Sequence, residues 1–80
     1  MSESNLYKSP DVVIRIKDVA KIRRIAIKEI LDAAGLGINA LSHMNHGRAI
    51  SFDSLAKIAD ALDVSVDYLL GRTSKMEVNR

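Results

Sequence analysis

Ala34-Gly35-Leu36-Gly37-Ile38 is the stretch on which the reading of this chain turns. Before it, Ile30, Leu31 and Ala34 fall at helical spacing and give residues 27–34 an apolar face. After it, residues 38–45 place Leu41 and either Met44 or Asn45 inward at the same period. Gly35 suits a left-handed helix stop because it has no Cβ to clash. Leu36 is then expected to plug the core as a buried linker residue. The next helix leaves at a steep angle, so two short helices are joined by a tight, glycine-hinged turn.

The flanking sequence extends the same pattern. Pro10 and Asp11 suit a helix start, and Val12, Ile16, Val19 and either Ile22 or Arg23 form an apolar stripe running to residues 23–24. Basic residues 15, 17, 21, 23 and 24 fill its other faces. Ser51 is an N-cap candidate with Asp53 in the first turn. Leu55, Ile58, Ala59 and Leu62 then mark a fourth helix over residues 52–62. Val64 reads as a buried connector. Ser65 reads as the cap of a fifth short helix that packs Tyr68, Leu69 and Leu70 and stops at Gly71. The expectation is an all-α, five-helix domain over residues 11–71, with flexible tails at 1–10 and 72–80.

Composition agrees with one small helical domain. The chain has 80 residues, of which 48% are hydrophobic, with one Phe, two Tyr and no Trp, so its core is aliphatic. The absence of Cys excludes disulfides and thiolate chemistry and makes a reducing, cytoplasmic compartment the expectation. The polar opening is no signal peptide, and no apolar run approaches the roughly 18 residues of a membrane span. Charge is segregated: residues 15–48 carry seven Lys or Arg against three acids, and residues 49–70 carry one Lys against four Asp. A basic face favours polyanions, although an ordinary solvated surface gives the same count.

Several blocks together carry a resemblance: Ile30-Leu31-x-x-Ala34-Gly35-Leu36, Leu41-Ser42-x-Met44-x-x-Gly47-Arg48, Ser54-Leu55-x-x-Ile58-Ala59-x-Ala61-Leu62-x-Val64, and Ser65-Val66-Asp67-Tyr68-Leu69-Leu70-Gly71. With them the chain resembles the repressor/Cro-like (XRE-type) helix-turn-helix DNA-binding family over roughly residues 16–71. The resemblance implies a compact lambda-repressor-like fold whose third helix reads DNA and whose fourth and fifth helices buttress the reading pair. Departures are local. Ala26 and Ile27 replace a Thr-Gln pair whose Gln touches phosphate. Arg24 and Asp63 stand where glycine is common, and Gly37 stands where a Ser or Thr cap is usual.

On a third helix starting at Ile38, positions 38, 39, 42, 43 and 46 lie away from Leu41. Asn39 can donate and accept at once, matching adenine N6 and N7. Ile38 can pack on thymine methyls, and Ser42 and His43 can reach a base or a phosphate. His46 and Arg48 fall over the phosphate strand. Lys28, at the start of the second helix, reaches phosphate or is simply solvated. Gly37, at the entry to the reading helix, completes the DNA-binding set.

The expected function is a sequence-specific, double-stranded DNA-binding regulator of the repressor kind. It is expected to act as a homodimer at least on DNA, with Tyr68, Leu70, Met76 and Val78 as candidate dimer residues. A competing reading keeps the fold but makes it a protein-interaction module of antitoxin or antirepressor type, favoured by Ile27 and Ile38. No catalytic site, cofactor or metal is expected. Ser42 and His43 are helix neighbours that cannot face each other, and His43 with His46 lacks further ligands.

Overall fold

The computed structural model describes residues 8–77, and among them the chain forms five helices and no strand. They are α1 (Ser9–Arg23), α2 (Ile27–Ala33), α3 (Ala40–Asn45), α4 (Phe52–Leu62) and α5 (Val66–Leu70). The expected all-α architecture is the one observed. None of these helices is long and apolar enough to cross a membrane.

In α1, Val12, Val13, Ile16, Val19 and Ala20 are all buried. The helix starts two residues before Asp11 because Pro10 fits its first turn, where a missing N–H costs nothing. The apolar stripe ends on Ala20 and does not reach Ile22, which is 62% exposed. Arg23 also faces solvent, and its Nη2 donates to the Asp63 carbonyl at 3.2 Å, tying the end of α1 to the end of α4.

All five helices stop by the same device. The second or third residue past each helix returns its N–H to a carbonyl five residues back: Ile25 to Ala20 (2.9 Å), Leu36 to Leu31 (2.8 Å), Arg48 to His43 (3.1 Å), Val64 to Ala59 (3.0 Å) and Arg72 to Asp67 (2.8 Å). This is the Schellman arrangement, and it needs a left-handed residue just before the donor. That residue is Gly35, Gly47 or Gly71 in three cases, and Arg24 (φ 57°) or Asp63 (φ 56°) in the other two. The two departures from the family pattern therefore keep the glycine geometry with a side chain in place.

α1 packs against α3, α4 and α5, and α4 in turn holds α2 and α5. Ile16, Ile30, Met44, Ile58, Leu62 and Leu69 are sealed from water, and among the described residues no polar side chain is buried with them. Each such side chain contributes about 1.5–3 kcal/mol of transfer free energy. Val64 is buried as expected of the connector. Leu36 is only half-buried and packs against the edge of the core without plugging it. Ser51 and Ser65 cap α4 and α5 by accepting from the N–H of Ser54 (3.1 Å) and Tyr68 (3.0 Å).

Past Gly71 the chain doubles back. The Met76 carbonyl accepts from the Ser65 N–H at 2.9 Å, and its side chain half-buries against the core. Tyr68 and Leu70 also pack against the molecule's own core, which leaves them less surface for a partner than the sequence suggested. Val78, and the tail residues 1–7 and 78–80, lie outside the described residues.

Candidate nucleic-acid interface

The geometry of the α2–α3 pair follows from its stop signals. Leu31, in the last turn of α2, accepts from Leu36, and Asp32 accepts from Gly35 at 3.1 Å with Gly35 at φ 71°. Residues 37–39 then form a turn instead of the first turn of α3, and the Ala40 N–H bonds the Gly37 carbonyl at 3.1 Å. The helix begins at Ala40, two residues later than the periodicity predicts. Glycine at 37 offers no side-chain cap, and Asn39, with ψ 4°, takes the N-cap position without capping through its own side chain.

Leu41 and Met44 fix the roll of α3. They are 5% and 1% exposed, so the opposite side must face solvent. Met44, not Asn45, is the inward residue. Ile38, Asn39, Ser42, His43 and His46 are all exposed, as are Gly37, Arg48 and Lys28. The side of α3 that the sequence assigned to a ligand is thus the side left open.

Two local bonds order this surface. The His46 Nδ1 lies 2.8 Å from the Ser42 carbonyl. A carbonyl only accepts, so Nδ1 carries the hydrogen, and a neutral ring would present Nε2 as its acceptor. At the end of the helix, Gly47 (φ 93°) and the Arg48-to-His43 bond hold the Arg48 backbone in one place.

An open groove of about 480 Å³ runs along this face, with Gly37, Ile38, Asn39, His43 and Arg48 on its walls. It brings together five of the eight residues singled out from the sequence. Outside the groove, Ser42 lies on α3, His46 at its C-cap and Lys28 at the start of α2. Sequence reasoning missed Ala49 and Ile50, which complete the wall. The available signal was an apolar residue directly before the Ser51 cap. Ile50 and Leu55 occupy the two positions of a hydrophobic staple, and both pack at the edge of the core.

The electrostatics divide as the sequence count suggested. The ion pairs Lys57–Asp53 (3.5 Å) and Arg72–Asp67 (3.8 Å) lie in the C-terminal half. Among the described residues, neither Lys28 nor Arg48 is engaged in an ion pair. Both cations are therefore available to an external anion. Ile27, by contrast, is half-buried against the core and is not a surface apolar residue.

No curated protein and no solved structure matches the chain significantly. Residues 15–75 match the family model described as the Cro/C1-type HTH DNA-binding domain. That span takes in all of the described structure from the middle of α1 to the returning segment after α5, including the glycine-hinged α2–α3 pair with its open outer side. The chain belongs to the Cro/C1-type helix-turn-helix DNA-binding family.

Proposed function

We propose that this protein is a sequence-specific, double-stranded DNA-binding transcriptional regulator that acts as a repressor, without enzymatic activity, in the cytoplasm. The observation that carries this reading is the shared groove of Ile38, Asn39, His43 and Arg48, open to solvent beside a helix anchored from behind by Leu41 and Met44. A helix this short suits the major groove, because only its entry and first turn reach base edges. Asn39 reads adenine through N6 and N7, and Ile38 packs on thymine methyls. Ser42 and His43 reach a base or phosphate. His46, Arg48 and Lys28 contact the phosphate strand, and Gly37, which carries no side chain, lets the backbone come close. One such module buries little DNA surface. Useful specificity then calls for a homodimer on half-sites roughly one helical turn apart.

A second reading is a protein-interaction module on the same fold, and Ile38, which is 75% exposed, favours it. Binding of labelled duplex as a function of salt separates the two. DNA binding loses affinity steeply with salt, with a log–log slope of about −0.9 per phosphate contacted. Duplex affinity that is absent or insensitive to salt would exclude the DNA reading. Selection from a random duplex pool then identifies the operator.

A further inference from the structure

We propose that α1 carries a self-complementary docking face through which two copies of this chain pair antiparallel. The inward residues of α1 are Val12, Val13, Ile16, Val19 and Ala20. At 100° per residue the opposite side is the stripe Ile14, Asp18, Lys21 and Ile22, a spacing of i, i+4, i+7 and i+8. Ile14 is 57% exposed and Ile22 is 62% exposed, with Asp18 between them on the helix surface. α1 therefore has apolar residues on both sides, and only one side is used by the fold.

The occupant is named by the charge pattern. Acids Asp11 and Asp18 and bases Lys17 and Lys21 border the two isoleucines, and all four are exposed. Asp11 stands near the start of the helix and Lys21 near its end. A two-fold axis between positions 17 and 18 sets Lys17 of each copy beside Asp18 of the other. The same axis brings Ile14 of each copy opposite the turn that carries Ile22, and Asp11 toward the basic end. Parallel pairing would instead set like charges together. A contact that satisfies both copies identically is what a two-fold dimer requires.

The area is modest. A 15-residue helix is about 22 Å long, and a single pair of such helices falls in the small, reversible class of interface. The contact uses none of the residues proposed to read DNA. It rests on the homodimer reading above and relocates its interface from α5, whose apolar residues pack wholly or partly against the core, to α1.

The test is sedimentation equilibrium of the full chain without DNA, alongside duplex binding to a single half-site. The wild-type chain is expected to associate reversibly. Ile14→Ser with Ile22→Ser should weaken association at least about tenfold while half-site affinity stays unchanged. Phe52→Ser removes the most exposed apolar side chain, at the start of α4, and should leave association intact. A chain with Lys17→Glu and Lys21→Glu and a chain with Asp11→Lys and Asp18→Lys should each stay monomeric alone and pair when mixed. The proposal is overturned if the wild-type chain stays monomeric, if association survives loss of both isoleucines, or if Phe52→Ser abolishes it. Salt-sensitive duplex binding by a strictly monomeric chain would sink the α1 pairing and leave the DNA reading standing.

Discussion

Arg24 ends α1 in the left-handed region, at φ 57° and ψ 44°. An L-residue there brings its Cβ close to the next carbonyl, at a cost of roughly 1–2 kcal/mol that glycine avoids. Glycine has more freedom to lose on folding, which returns roughly 0.5–1 kcal/mol. The balance leaves Arg24→Gly about 0.5–1 kcal/mol more stable than the wild type, less whatever the lost charge contributed at the negative end of α1. That last quantity is small because Lys21 and Arg23 remain in the final turn. Arg24→Ala isolates it, since alanine removes the same charge and keeps the left-handed strain. Arg24→Gly is therefore expected to exceed Arg24→Ala by about 0.5–1 kcal/mol, or about 2–8 °C in Tm for a domain of this size. Thermal and urea denaturation followed by far-UV circular dichroism, at a salt concentration that screens surface charge, measures the difference. An alanine variant as stable as the glycine variant would show that residue 24 does not hold this conformation, and the shared stop of the five helices would fail at its first instance.

Three further outcomes follow from the core and the outer side of α3. Leu62→Ala removes a side chain with no exposure at the last residue of α4. It should cost about 2–5 kcal/mol, a large share of the stability of an 80-residue chain; retention of the wild-type urea midpoint would contradict the packing. Asn39→Ala should relax base preference at one operator position by about 1–3 kcal/mol, read by selection from a random duplex pool, with preference at other positions unchanged. Arg48→Ala should weaken all duplexes alike and lower the salt slope by about one contact; a change confined to one sequence would move Arg48 from the phosphates to a base.

The sequence made the helices legible wherever burial and backbone conformation agreed. The α4 stripe of Ile58, Ala59 and Leu62, with its Ser51 cap, is unambiguous because a single face is apolar and a hydroxyl stands at its start. α1 is harder to read. Ile14 and Ile22 are as apolar as Ile16, so periodicity alone could not place the edge of the buried face. The stops at Arg24 and Asp63 carry no glycine, and there the left-handed turn is imposed by the apolar residue that follows each. Ile25 and Val64 must return to the core, and the residue between each of them and its helix takes the conformation that allows it. The candidate site was legible in membership more than in shape. Exposure of Asn39 and His43 follows from the inward positions of Leu41 and Met44, whereas the wall formed by Ala49 and Ile50 depends on how the chain leaves Gly47.

The six residues of α3 could not persist as an isolated helix, because nucleation costs more than so few hydrogen bonds return. Its outer side exists only because Leu41 and Met44 are held in the core and because left-handed glycines at 35 and 47 set the chain direction at both flanks. Base reading needs Asn39 held near a fixed orientation, so the same interactions that stabilise α3 also set its precision. The proposed reader and the core are in this sense one structure. A substitution at Met44, which touches no DNA in the proposed complex, should therefore erode sequence discrimination before it unfolds the domain.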